Sequence, residues 1–379
     1  MRTLIWNGQV YDSASRTFRP GAVLVTDDRI TEVLWEEDLS FCGGAVDEMV
    51  DAQGGYVMPG LVDVHTHGRN GFDFATADKE AIALMARCYA ESGVTTVIPT
   101  LASATPQEWQ AAIARLNEYH GEGANLAGVH LEGRYLNPAK RGVHAPELLT
   151  VPDAAELESL LGQVRGVRHV TFAPELDEDG SFLKKALELG ATVGIGHTAA
   201  TYDQTVQALQ NGATVMTHLY NAMPTLHHRE GGAVAAGLLC DTAFCELICD
   251  GLHVSPEMVK LAYRLKQDKL ILITDSMEAT GCPDGQYAIA GVSVTVKDGR
   301  AQTADGVLAG STLSLWQGVV NLTEFADLPL GDALYCATYA PALAYGLADE
   351  VGSLEKGKRA DILIAVGQDL RVMCAGVWM

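Results

Sequence analysis

Residues 57–68 read Val-Met-Pro-Gly-Leu-Val-Asp-Val-His-Thr-His-Gly. The stretch is a short apolar run that ends in two histidines one residue apart. In a β-strand, residues i and i+2 point to the same face. His65 and His67 are therefore expected to aim at one spot just beyond the end of a buried strand. Two imidazoles converging at a strand terminus can clamp a metal ion. The plainer alternative is a pair of loop histidines bonded to backbone or water, and the rest of the chain decides between them.

Downstream of this stretch, short apolar runs alternate with Ala-rich amphipathic segments. The candidate strands are 57–64, 94–100, 126–131, 167–172, 192–195, 214–217, 244–249 and 270–274, eight in all. The candidate helices between them are 78–92, 106–120, 153–163, 181–189, 202–211 and 256–266. Such alternation implies parallel pairing with right-handed crossovers. Eight strands point to a closed (β/α)8 barrel, a TIM barrel. An open doubly wound sheet is the alternative. It normally carries a Gly-rich phosphate loop after its first strand, and Gly68-Arg-Asn-Gly71 is not one.

Upstream, the runs 3–6, 9–11, 22–26 and 30–34 are brief and β-rich, separated by turns such as Asn7-Gly8. Far downstream, 281–306 alternates like a hairpin inserted after the last barrel strand, and helices return at 313–326 and 330–335. The tail from Gly352 ends in β-like runs expected to rejoin the N-terminal sheet. The expected architecture is a barrel over 55–345 flanked by a small β-sandwich domain built from 1–54 and 346–379.

The chain has 379 residues, which suits a barrel of roughly 250 residues plus a smaller unit. Hydrophobic residues make up 48% and charged residues 20%, enough for a large core. The formal net charge of -22 repels a phosphate backbone, so nucleic-acid binding is not expected. An anionic substrate must then be held by a local cationic pocket. No apolar run reaches membrane-spanning length, and no signal peptide is apparent. The eight cysteines are scattered, mostly in apolar segments such as those holding Cys88, Cys240 and Cys249. They read as reduced core residues of a cytoplasmic protein. Cys245 and Cys249 lie four apart in a strand-like segment, which is poor metal spacing.

In a barrel of this kind, chemistry sits at the C-terminal ends of the strands. The first candidate strand ends in His65 and His67, the third in Glu132, the fifth in His197 and the sixth in His218. The seventh ends in Asp250, followed by His253, and the eighth ends in Asp275. Each has a bland alternative: a loop histidine, a Glu132–Arg134 pair, an Asp275 helix cap. Those alternatives must all hold at once on one rim. His and carboxylate donors without nearby Cys suit Zn²⁺ or Fe²⁺ rather than Ca²⁺. Such an ion lowers the pKa of bound water to about 7, which makes hydrolysis the natural reaction class. Asp275 is the best-placed group to take a proton from that water and pass it to a leaving group.

These motifs resemble the amidohydrolase superfamily and, within it, the N-acetylglucosamine-6-phosphate deacetylases. The likeness spans essentially the whole chain. Its carriers include residues 59–68, His130-Leu-Glu-Gly133, Gly196-His-Thr198, Thr217-His-Leu-Tyr-Asn-Ala-Met-Pro224, His227-His-Arg-Glu-Gly231, Asp250-Gly-Leu-His253, Thr274-Asp-Ser-Met277 and Leu308-Ala-Gly-Ser311. The resemblance implies that Glu132, His197 and His218 hold a catalytic divalent metal. It implies that His65 and His67 hold a second ion bridged by Glu132, so one or two ions bind per subunit. Asp275 matches the catalytic acid/base, and His253 the group that orients and polarises the acetamide carbonyl. Asn221 and Ala222 match a phosphate-binding segment. Arg229 joins them from the neighbouring subunit, which implies a homodimer. Val143, His144, Asp250 and Leu308, Ala309 and Gly310 match substrate-contacting positions. One departure stands out: the family usually has Pro where this chain has Arg134. The implied reaction is deacetylation of N-acetyl-D-glucosamine 6-phosphate. Alternatives are the galactosamine epimer, ring opening or deamination as in other relatives, and a non-catalytic assembly protein. Glu132 in place of a bridging lysine, with Asn221, Ala222 and Arg229, argues against the ring-opening class.

Overall fold

The computed structural model describes residues 1–36, 45–367 and 369–379. The run expected as one strand over 57–64 is two strands in two different sheets. Tyr56–Pro59 pairs antiparallel with Ile362–Val366, and Val57 stands opposite Ile364. Leu61–Thr66 is buried throughout and pairs parallel with Val94–Leu101. The break falls at Gly60. A Cβ there would come within 2.0 Å of Thr95 Oγ1, so only glycine lets the chain pass from one sheet to the other.

From Leu61 onward the strands build a nearly closed parallel barrel. The order continues through Val94–Leu101, Gly128–Glu132, Val167–Phe172, Thr192–Ile195, Val215–Met216, Phe244–Ile248 and Leu270–Ile273. Closure comes just past the last strand, where Asp275 N donates to His65 O at 2.9 Å and His67 N donates to Ser276 O at 2.8 Å. Six of these strands show no exposed or half-buried position. A parallel sheet covered by helices requires this, and it is why the strands read as continuous apolar runs.

The helices follow local signals. Lys79–Glu91 starts where the Asp78 side chain accepts from Ala81 N, and Pro106–Asn117 opens with a capping box between Thr105 and Glu108. Among the helices not anticipated from the sequence pattern, alongside Tyr339–Ala344, is Gly232–Leu239. Its sequence, Gly-Ala-Val-Ala-Ala-Gly-Leu-Leu, is apolar on every face, so it carries no 3.6-residue alternation. Gly237 packs so closely on Met216 that a Cβ would lie 2.4 Å from its Cγ.

After the last barrel strand comes a three-stranded antiparallel sheet, Gly285–Ile289, Val292–Lys297 and Arg300–Gln302, one strand more than the expected hairpin. Helices Leu315–Ala326, Leu330–Tyr335 and Tyr339–Ala344 follow. Both ends of the chain then meet in one sheet. Its path runs from Val377–Trp378 through Asp369–Cys374, Ile362–Val366, Tyr56–Pro59, Arg2–Asp12 and Thr17–Thr26 to Arg29–Trp35. Ile5, Val10, Val23, Ile362 and Met373 form a separate apolar core for this unit. The seven described cysteines are free thiols; Cys42 lies outside the described residues. Among the described residues, no helix is long and apolar enough to cross a membrane.

Candidate metal centre and active-site cleft

Glu132, at the end of the third barrel strand, is the hub of the site. Its two oxygens face different partners. Oε1 lies 2.9 Å from His218 Nε2 and 3.3 Å from His197 Nε2. Oε2 lies 3.1 Å from His67 Nε2 and 3.4 Å from His65 Nε2. Asp275 completes the second group, its Oδ1 being 3.2 Å from His67 Nε2 and 3.6 Å from His65 Nε2. All six side chains are buried or nearly so.

The ring nitrogens not facing Glu132 fix two of the tautomers. His197 Nδ1 lies 2.8 Å from the carbonyl of Lys140, and His65 Nδ1 lies 3.0 Å from Glu246 Oε2. Both partners only accept, so each Nδ1 carries the proton and each Nε2 turns a lone pair toward Glu132. His197 Nε2 and His218 Nε2 stand 3.0 Å apart. His65 Nε2 is buried without a hydrogen-bond partner. Lone pairs converging on a buried carboxylate are the donor set of a divalent cation with N and O ligands.

The proton affinities agree. Burial penalises a charged His65, yet the charge of Glu132 outweighs it and holds the ring well above its ordinary value. His67, also penalised by burial, is carried up to about 9 by Asp275 and Glu132. Burial would raise Glu132, but His65, His197 and His218 pull it well below the usual carboxylate range. The cluster attracts positive charge, which a bound cation supplies in place of protons.

His144 also stands near this group, its Nε2 4.0 Å from Glu132 Oε2. Its Nδ1, however, accepts from Ser103 N at 3.3 Å and lies 2.8 Å from Ser103 Oγ. A backbone N–H only donates, so the imidazole proton sits on Nε2. That nitrogen presents a hydrogen to the cleft and is not an ion ligand. Burial, then the neighbouring His197, pushes its proton affinity down to about 3.

Three residues at this rim bend the chain in a way side chains rarely allow. His197, His218 and Asp275 have φ of +48°, +31° and +47°. Such left-handed backbone on non-glycine residues is costly and clusters at functional sites. Above the cluster opens a cleft of about 390 Å³, within the range of small-molecule sites. The insert sheet closes one side through Ile289 and Ala290, with Val307 and Leu308 beyond it.

A profile for the Amidohydrolase family matches residues 56–379. The chain belongs to the amidohydrolase family. It is 37% identical over 320 residues to an N-acetylglucosamine-6-phosphate deacetylase of Vibrio furnissii, covering 83% of this chain and 80% of the relative. It is equally 37% identical over 320 residues to an N-acetylgalactosamine-6-phosphate deacetylase of Escherichia coli O157:H7, covering 83% and 85%. Among solved structures, it matches an N-acetyl-D-glucosamine-6-phosphate deacetylase variant of Mycobacterium smegmatis in complex with N-acetyl-D-glucosamine-6-phosphate. That match has a TM-score of 0.89 and 31% identity, and it covers 100% of this chain and 99% of the other.

In this amidohydrolase, the fold brings His65, His67, Glu132, His197, His218 and Asp275 together. Val143, His144, Asn221, Ala222, His253, Leu308 and Gly310 line the cleft. Ala309 is buried in the apolar core of the insert sheet. Asp250 sits behind His253, its Oδ2 2.6 Å from His253 Nδ1 and its Oδ1 accepting from His253 N at 2.8 Å. Arg229 is not brought into the cleft; it is exposed, and among the described residues its guanidinium has no hydrogen-bond or ion-pair partner.

Sequence reading missed a layer beneath the amidohydrolase cluster. Glu246 is wholly buried in the strand Phe244–Ile248. It faces His65 and accepts from Tyr345 Oη at 2.5 Å and from His218 N at 3.2 Å. His130 links Thr100 and Thr171 at 3.1 and 2.8 Å. A glutamate inside an otherwise apolar parallel strand was the available signal, because carboxylates are almost never fully buried unless paired.

Proposed function

We propose that this amidohydrolase removes the acetyl group from N-acetyl-D-glucosamine 6-phosphate, releasing acetate and D-glucosamine 6-phosphate. The observation that carries the proposal is the split of Glu132 between two sets of imidazole nitrogens beneath a cleft of sugar-phosphate size. Two sets of donors sharing one carboxylate favour two ions, one on Glu132, His197 and His218 and one on His65 and His67. When bound, such zinc or ferrous ions supply a water of lowered pKa and a Lewis acid for the acetyl carbonyl.

The chain's own groups do the rest. Asp275 takes a proton from the attacking water on a carboxylate oxygen and delivers it to the departing amine. Burial would raise its proton affinity, but the hydrogen bond from His67 and the charges of His65 and His67 hold it below the usual carboxylate value. His253, braced by Asp250, orients the acetamide, and His144 donates Nε2–H to a substrate oxygen. Asn221 and Ala222 receive the phosphate. Ala222, at φ +52°, is in the left-handed region that turns backbone N–H groups toward one concavity.

The unpartnered Arg229 supports a homodimer in which the guanidinium of each subunit reaches its neighbour's phosphate. An Arg fork suits a phosphate on a chain of net charge -22. The proposed organisation is a catalytic barrel carried by a cytoplasmic protein, with the two chain ends as its supporting domain. The boundary expected at 54–55 moves to Gly60, because Tyr56–Pro59 pairs in the terminal sheet and the barrel begins at Leu61.

A second reading has one observation in its favour: identity to the glucosamine and galactosamine relatives is the same. The experiment is an acetate-release assay on both 6-phosphorylated epimers with ion content measured in parallel. Turnover of the gluco epimer with one or two ions per chain supports the first reading. Exclusive turnover of the galacto epimer replaces it with the second. No acetate from either, with ions bound, defeats both.

A further inference from the structure

We propose that Arg134 is a positioning residue that staples shut loop 134–150, the segment forming one wall of the cleft; the inference rests on the deacetylase reading. The guanidinium forks onto Glu156, Nε to Oε1 at 2.9 Å and Nη2 to Oε2 at 3.2 Å. Its Nη1 donates to the carbonyls of Leu148 at 3.3 Å and Ala104 at 3.2 Å. Its own carbonyl accepts from Thr150 N at 2.6 Å. One side chain thus joins both ends of the loop to the helix Ala154–Leu161 and to the turn after the second barrel strand.

The backbone of Arg134 has φ +56°. Proline is locked near −65° and cannot occupy it, so this loop takes a course closed to the proline expected here. What the staple holds matters to the site. Lys140, Gly142, Val143 and His144 line the cleft, and the Lys140 carbonyl accepts from His197 Nδ1. Ser103, which accepts from Arg134 N at 3.0 Å, also contacts His144. Loosening the loop therefore frees the substrate wall and the donor on His144 before it disturbs Glu132.

The loop carries its own reporter, since Lys140 and Arg141 are trypsin sites. Limited trypsin digestion of the ion-loaded protein is the first measurement, and steady-state kinetics the second. Arg134→Ala is expected to be cut at 140–141 at least about tenfold faster than the parent, the loss of a charge-assisted fork. KM is expected to rise by a similar factor, with a smaller loss of ion affinity through the Lys140 carbonyl that braces His197. Glu156→Gln and Arg134→Lys, which keep the fold's volume, are expected to move the same way but less. Adding Glu156→Gln to Arg134→Ala should change nothing further. Unchanged cleavage and KM in Arg134→Lys and Glu156→Gln overturn the staple even if Arg134→Ala does not fold. A fall in kcat with ion loss and no new cleavage also overturns it, placing the effect on Glu132. Cleavage needs no substrate, so a parent inactive on both sugar phosphates defeats the deacetylase reading while the staple is still tested.

Discussion

His65 Nδ1 lies 3.0 Å from Glu246 Oε2, and both side chains are wholly shielded from solvent. The carboxylate fixes which nitrogen of His65 bears the proton, and so which one can ligate. Partners of this kind typically contribute about 10–100-fold in ion affinity. Glu246→Gln is therefore expected to weaken one ion per chain by about that factor, and Tyr345→Phe by less. Titration of ion-free protein with Zn²⁺ reads the effect directly; unchanged Zn²⁺ binding refutes it.

Removing the ions should destabilise the fold at the same place. The six converging side chains repel or compete for protons once no cation joins them, and a cation that binds only the folded state stabilises it by mass action. Chelation is expected to lower the thermal midpoint, and Zn²⁺ to restore it. A midpoint indifferent to chelator contradicts the metal-centre assignment.

Asp275→Asn keeps the shape and removes the proton carrier. Loss of about 10²–10⁴-fold in kcat is expected, with ion content retained. Near-normal acetate release by an ion-loaded variant rules out the role given to Asp275.

Arg229→Ala should separate phosphorylated from plain sugar. A hydrogen-bonded charge contact is worth about 1.5–3 kcal/mol, so kcat/KM for the 6-phosphate is expected to fall at least about tenfold. The unphosphorylated N-acetyl sugar should be nearly unaffected. Equal losses on both would count against a phosphate contact.

His144 provides a test by pH. Its proton affinity is pushed down to about 3, so the ring is neutral through the whole working range and gains charge only in strong acid. His144→Gln should therefore cost about tenfold in kcat/KM through a lost hydrogen bond without altering the shape of the profile between pH 5 and 9. Disappearance of an acid limb in that variant shows that His144 ionises during turnover.

The residues that converge on Glu132 were legible because each ends an apolar run. Strand periodicity paired His65 with His67, and barrel geometry placed His197, His218 and Asp275 on the same rim. The boundary at Gly60 was not legible, since an unbroken apolar run gives no sign that it changes sheets; only the approach of Thr95 explains it. The left-handed turns at His197, His218 and Asp275 were equally hidden, as these residue types seldom adopt that backbone. Glu246 and His130 face inward from strands whose apolar neighbours set the pattern. The part proposed for Arg229 rests on the family resemblance alone, because no described residue of its own chain answers its charge.

Val57 meets Ile364 across the terminal sheet. During synthesis Tyr56–Pro59 emerges long before Ile362–Val366, so one of its edges stays unpaired until that later strand leaves the ribosome. A chain stopped short of Ile362–Val366 keeps its barrel sequence but bares the edge of Tyr56–Pro59, one residue before the chain turns into the strand that carries His65 and His67. Exposed strand edges recruit other strands, so early termination should yield self-association rather than a smaller working enzyme.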